Sequence, residues 1–294
     1  MRYHIASLVA VFLALGIGIL IGSSLQGEKV IVEQQQKLID RLGADFEGLR
    51  AEKKKLEAEV AFLQGQIRMW EQFGRAARPA LLQNRLYGKQ IALVRTAEGA
   101  DSRLVEELRQ ALEEAGAEVR SVTTILRYPE ETDEELLSAL KEAFGQDRPW
   151  PELSRSLFQA LAAHIAQGSP LANAHRLAGA ELVRFSGDYK TPVDAVIVLG
   201  GAQRETDSWQ KVDLPLIDAL RSTGIPVAGV ESSQVAYSFM PFYRQKRILT
   251  VDDADLVPGQ VALIYGLAAG KRSSFGIKEG ARQLLPALLE GTLP

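Results

Sequence analysis

Ligands for a soft metal are scarce in this sequence. The histidines are His4, His164 and His175, the methionines are Met1, Met69 and Met240, and there is no cysteine. A zinc or copper centre needs imidazole, carboxylate or sulfur donors that converge. His4 heads an apolar run, and Gly168 and Pro170 break the chain between His164 and His175, so no metal centre is expected. The lack of cysteine also removes disulfides and thiolate nucleophiles.

Phosphate and acyl-transfer motifs fail on spacing. Gly266, Gly270, Lys271 and Arg272 place three residues between the glycines where a P-loop has four, and they end in arginine where Ser or Thr is required. Gly16, Gly18 and Gly22 lie inside an apolar run with no strand before them. There is no G-x-S-x-G elbow, and Ser232 and Ser233, beside Glu231, have no histidine partner and read as helix caps. No catalytic residue and no cofactor are expected. What remains is a possible ligand crevice at turn positions: Arg95, Asp101, Gly200, Gly201, Glu231, Ser232 and Gly266.

These residues are interpretable only through the elements that carry them. Lys89 to Val94 reads as a buried strand, Asp101 to Ala115 as an amphipathic helix with Asp101 as N-cap, and Ala117 to Thr123 as a second strand. That β-α-β unit implies parallel strands and a right-handed crossover. Val193 to Leu199, Pro226 to Val230 and Val261 to Tyr265 read as further strands. Helices are expected near Leu214 to Ser222 and from Ile277 to Leu289. The alternation predicts an α/β class with an open, mostly parallel sheet over residues 88–294, whose ligand crevice lies at the carboxyl ends of the strands. A helical insertion, about Thr132 to Phe185, is broken at Pro149, Pro151 and Pro170. Pro226, Tyr237, Phe239, Phe242 and Tyr243 read as a packing cluster rather than an exposed binding surface.

The N-terminal part is of another kind. Ile5 to Ile21 is 17 residues without a charge, and with Gly22 it reaches roughly 27 Å, enough to cross a hydrocarbon core. A cleaved signal peptide is the competing reading, with Arg2 before the run and Gly22-Ser23-Ser24 after it. The run exceeds a usual signal core and continues into a helical pattern without a proline, so a retained anchor over 1–24 is preferred. Arg2 precedes the run while Glu28, Lys29 and Glu33 follow, which favours a cytoplasmic N-terminus and an exported body. Ala10, Ala14, Gly18 and Gly22 line one helix face with small side chains, weak support for pairing.

Over 25–78 the apolar period becomes seven. Leu42, Leu49, Leu56, Leu63 and Trp70 take d positions, and Ile39, Phe46, Lys53, Val60 and Ile67 take a positions. β-branched residues at a with leucine at d favour two parallel strands, and a single Lys53 at a costs stability while fixing register. The alternative is one amphipathic helix packed on its own domain. Asp45 would face Arg50 of a partner favourably, whereas Glu52 would meet Glu57, so a heterodimer stays open. Gly74 and Pro79 are expected to end the pattern. A net charge of −3 gives no basic surface for nucleic acid.

The string Arg2-Tyr3-His4-Ile5-Ala6-Ser7-Leu8-Val9-Ala10-Val11-Phe12-Leu13-Ala14-Leu15-Gly16-Ile17-Gly18, then Gly22-Ser23, resembles the N-terminal signature of the bacterial copper-transport outer-membrane protein family, named for a mycobacterial channel protein. Phe275-Gly276-Ile277-Lys278-Glu279-Gly280-Ala281 with Leu285-Pro286 is similar to that family's tail. The resemblance implies copper homeostasis and an outer-membrane pore. It also implies a link to envelope remodelling and cell separation, which some members share. One apolar helix cannot close a membrane β-barrel, and no series of alternating ten-residue strands is visible. The expected function is therefore a noncatalytic, membrane-anchored envelope scaffold or regulator, a parallel homodimer whose α/β domain meets an envelope protein or small ligand. The alternatives are a copper-transport component and an α/β enzyme with an unrecognised pocket.

Overall fold

The computed structural model describes residues 2–96, 102–171 and 182–285, with the side chains of residues 2 and 24–33 outside the description. Asp101 and His175, named above, lie outside the described residues. The chain divides into two compact units, Met1–Met69 and Trp70–Pro294.

The first unit is helical throughout its described length, as part of α1 (Arg2–Leu82). Within it Tyr3–Ser23 is long and apolar enough to cross a membrane, by length and composition. α1 runs through Gly74 and Pro79, where the heptad pattern is expected to end, so the helix outlasts the seven-residue repeat. Proline at 79 removes one amide, yet the helix has only three residues left to run, so the loss is confined to its last turn.

The second unit is the α/β body. Its elements after α1 are β1 (Gln90–Arg95), α2 (Ser102–Glu114), β2 (Glu118–Ile125), α3 (Glu134–Phe144), α4 (Trp150–Gln167), β3 (Val183–Gly187) and β4 (Ala195–Leu199). A π-helical turn, Trp209–Asp213, leads into α5 (Leu214–Ser222). Then come β5 (Val227–Val230), α6 (Met240–Gln245), β6 (Leu249–Val251), α7 (Val257–Ala268) and β7 (Ser274–Phe275). The sheet order is β3-β2-β1-β4-β5-β6-β7, with every pair parallel except β2 with β3. This is a doubly wound order that reverses between β1 and β4.

Strand alternation divides the core between the two faces. Ala92, Val94, Val196 and Val198 pack with Leu157, Leu161, Leu216 and Leu220 of α4 and α5. Ile91, Leu93, Ile197 and Leu199 pack with Leu108 and Leu112 of α2, Leu263 of α7 and Leu82 at the end of α1. Strands covered on both faces are apolar throughout, which is why β4, Ala-Val-Ile-Val-Leu, is buried at every residue.

Three expectations are corrected here. Val261 to Tyr265 is not a strand but the middle of α7, a helix buried from Val261 to Ile264. A short apolar run fits a core strand and a core helix equally, and Pro258 in the first turn, where a helix needs no N–H, is compatible with the helix. Ile277 to Leu285 is not helical but turns and bends, and residues 286–289 lie outside the described residues. The insertion is helical in α3 and α4, but its end forms β3, antiparallel to β2.

Candidate functional site

The carboxyl ends of β1, β4, β5 and β6 gather most of the polar residues the sequence points to. At the switch point, β1 ends at Arg95 with Thr96 after it, and β4 is followed by Gly200 and Gly201. Arg95 Nη1 donates to Ser102 Oγ at 3.2 Å. Gly200 has a packing reason to lack a side chain: a Cβ there would run into the Tyr243 hydroxyl and the Phe239 ring. Gly229 in β5 makes the same allowance beneath the ring of Tyr243. The two glycines therefore cradle a tyrosine that is wholly buried.

That tyrosine reaches Asp213, itself buried at the end of the π-helical turn. Tyr243 OH donates to Asp213 Oδ1, and Thr96 Oγ1 lies 3.2 Å from the same oxygen and 3.3 Å from the Leu199 carbonyl. Burial first, and the Asp213 carboxylate second, push the Tyr243 phenol well above its ordinary range. It is thus a fixed neutral donor, and the switch point is filled by a hydrogen-bonded plug rather than an open nucleophile.

The ends of β5 and β6 carry carboxylates. Glu231 is fully buried and accepts from Ser238 Oγ at 2.5 Å, Phe239 N at 2.9 Å and Lys278 Nζ at 2.9 Å. Lys278 Nζ also donates to the Ser232 carbonyl at 3.0 Å. Asp252, equally buried, accepts from Ile277 N at 2.7 Å, Lys278 N at 3.1 Å and Arg244 Nη2 at 3.3 Å. Gly276, at φ 137°, lies against the Asp252 carboxylate where a Cβ has no room. Asp255 accepts from Ser233 N and Oγ at 2.6 and 2.7 Å. Ser232 and Ser233 therefore serve a turn, not the helix caps expected of them; the Ser232 hydroxyl accepts from Gln234 N at 3.1 Å.

Asp253 stands apart. It is fully buried, and among the described residues neither carboxylate oxygen has a hydrogen-bond partner. Burial, then the neighbouring Asp252 and Asp255 charges, push its carboxyl up to about 7, with its own amide and Lys278 only partly offsetting them.

The structure thus brings Gly200, Glu231 and Ser232 to the carboxyl edge of the sheet with Arg95. It removes Gly266, which lies inside α7 and packs against Leu249. Asp213, Asp252 and Asp253 are not singled out by the sequence, which marks Tyr243 only as a packing residue and Lys278 only within the tail string. The run Val-Asp-Asp-Ala-Asp over 251–255 was a visible signal, since three carboxylates directly after an apolar stretch demand partners. His164 stacks on Tyr189 and pairs through Nδ1 with the Ser169 carbonyl at 2.8 Å. Phe239 and Tyr243 are core residues, and Trp209 stacks flat on Phe242. Among the described residues no group of three or more His, Asp or Glu is placed to hold a metal ion.

Chemically, Glu231 and Asp252 are committed to fixed donors. The segment Gly276 to Gly280 is the clasp that supplies several of them: Lys278 bonds Glu231, two of its amides bond Asp252, and the Glu279 carbonyl accepts from Arg244 Nη1 at 2.8 Å. The tail string Phe275 to Ala281 therefore has a structural account: a strand residue in the core followed by a clasp over two buried carboxylates.

No curated protein matches this chain. A family model described as copper transport outer membrane protein, MctB, matches residues 1–286, nearly the whole chain including both the apolar N-terminal helix and the clasp. The chain belongs to the MctB copper transport outer membrane protein family.

Proposed function

We propose that this chain is a noncatalytic, membrane-anchored scaffold or regulator of the cell envelope that pairs in parallel through residues 32–70. The observation that carries this reading is the uncovered apolar seam of α1. Leu49 is 61% exposed, Leu56 54% and Leu63 48%, an unusual state for leucines repeated at d positions in water. Lys53, the charged a position, leans to Glu57 of its own helix at 3.5 Å, which softens the Glu52 to Glu57 repulsion a pair of chains would otherwise meet. The charge distribution around Tyr3–Ser23 supports a cytoplasmic N-terminus with the α/β domain outside. In that setting the domain presents a partner surface, and an envelope protein is the partner we favour.

Crosslinking in intact cells from single positions on the seam tests the reading. Chain-to-chain products from Leu49 and Leu56, absent from the opposite helix face at Lys54, are expected. Monomer at every position would overturn it.

Family membership favours a second reading, a component of copper transport or homeostasis with the metal as cargo. A deletion strain that accumulates copper differently from the complemented strain would support it; identical handling in both would remove it.

A further inference from the structure

The opposite edge of the sheet, where β5, β6 and β7 begin, holds a hollow of about 190 Å³. Four cations surround it: Arg221 at the end of α5, Arg247 after α6, and Lys271 and Arg272 after α7. Its floor is apolar, with Ile225, Pro226, Ile248 and Leu267. Among the described residues no carboxylate lines it. Arg247, Lys271 and Arg272 make no ion pair among the described residues, whereas other cations of this domain, such as Arg244 and Lys246, do. Arg221 is 3.9 Å from Asp218, but that carboxylate is already held by Lys246 at 2.5 Å.

Complementing helix ends is the simpler explanation for these charges. Three helices finish here, and each contributes at most about half a negative charge at its C-terminus. That is roughly −1.5 against four full positive charges, so the excess remains. The backbone supplies a second objection. The turns after α5 and α7 use Gly224 and Gly270 at positive φ, as a left-handed turn prefers. The turn after α6 instead places Arg247 there, at φ 53°. A non-glycine residue in that conformation costs on the order of 1–2 kcal/mol, and α6, only six residues long, has little dipole to satisfy.

We propose that this hollow binds a phosphate-bearing anion. Cations from three separate turns converge on one site, and a phosphate group offers three acceptor oxygens and nearly two charges where a carboxylate offers two and one. The hollow is smaller than the roughly 300 Å³ at which pockets for drug-sized ligands begin, so it takes a phosphate or pyrophosphate head group. The apolar floor accommodates the ester carbon of a larger ligand. Free phosphates and anionic lipid head groups share this chemistry. The site is independent of pairing through α1.

The test is calorimetric titration of the full chain in nonionic detergent. One arm uses pyrophosphate; the other compares short-chain dihexanoyl phosphatidylglycerol with dihexanoyl phosphatidylcholine below their micellar range. The variant K271Q/R272Q changes two exposed, unpaired side chains, and K54Q/K55Q removes the same charge from α1. Saturable binding of pyrophosphate, phosphatidylglycerol or both, weakened about tenfold in K271Q/R272Q and unchanged in K54Q/K55Q, supports the site. Binding of phosphatidylglycerol alone assigns the phosphate to a lipid, and binding of pyrophosphate alone assigns it to a free anion. The proposal is overturned by no saturable heat up to about 10 mM of either anion. It is also overturned by equal binding of phosphatidylcholine, or by equal loss in both variants. Should K271Q/R272Q unfold, R272Q alone carries the same comparison with a loss of about threefold.

Discussion

Replacing Asp253 by asparagine should make the protein more stable, by a gain that grows as the pH rises above about 4 and is complete above about 7. Among the described residues Asp253 has no hydrogen-bond partner for either oxygen, and burial beside Asp252 and Asp255 pushes its carboxyl up to about 7 in the folded chain. An unfolded aspartate titrates near 3.9. Between those values the native state holds a proton that the unfolded state has released. Stability from this group is therefore fully present below about pH 4, declines as the pH rises, and is lost above about 7. Three pH units at 1.36 kcal/mol each set an upper bound of about 4 kcal/mol. Relaxation around the ionised carboxylate lowers this to about 2–4 kcal/mol.

Asparagine keeps the shape of the protonated acid and cannot ionise. At pH 4 Asp253→Asn should therefore match the parent to within about 1 kcal/mol. At pH 8 it should gain about 2–4 kcal/mol, a rise in midpoint of roughly 5–15 °C for a domain of this size. Thermal melts of the full chain in detergent at the two pH values give the comparison directly. The difference between parent and variant cancels every other titrating group. A gain of equal size at both pH values, or none at pH 8, would refute the reasoning, because either outcome means the carboxylate is not buried uncompensated.

Leu56→Ala removes a d-position leucine from both chains of the proposed pair. A loss of about 4–6 kcal/mol in dimer stability, more than a thousandfold in dissociation constant, is expected by sedimentation in detergent. Gly200→Ala should destabilise the domain by about 1–3 kcal/mol in denaturant titration, because the new methyl meets the Tyr243 hydroxyl. Lys278→Met leaves Glu231 buried without its cation, and a loss of about 2–4 kcal/mol is expected in the same titration, with greater protease sensitivity around residue 278.

The sequence announces the parts of this fold that are long or covered on both faces. β1 and β4 are unbroken apolar runs, and α2 carries a clean amphipathic stripe, so their type and order are legible. α7 is not, because Val-Ala-Leu-Ile-Tyr satisfies a buried strand as well as a buried helix, and tertiary packing chooses. β6 and β7 are three and two residues long, too short for any period to declare itself. β3 does alternate, with Val183 buried and Arg184 exposed, but it lies within a stretch dominated by helix. At the carboxyl edge, Glu231 and Gly200 were found because they directly follow strands. The pairing of Asp213 with Tyr243 is not legible, since they are 30 residues apart and meet only in the folded domain.

What this changes is the meaning of the polar residues at the carboxyl edge. In a doubly wound sheet that edge is the first place to look for a ligand, because strand ends leave amides and side chains free. Here the described carboxylates and hydroxyls are mostly bound to one another: Tyr243 to Asp213, Lys278 to Glu231, Arg244 and the clasp amides to Asp252. A general base must give up such a partner before it can take a proton, and for a buried carboxylate that costs several kcal/mol. At the opposite edge Arg247, Lys271 and Arg272 make no ion pair among the described residues. Uncommitted charge is what a ligand can exploit without breaking an existing bond. The amino edge of the sheet therefore offers the proposed phosphate site charge that is usable without breaking such bonds.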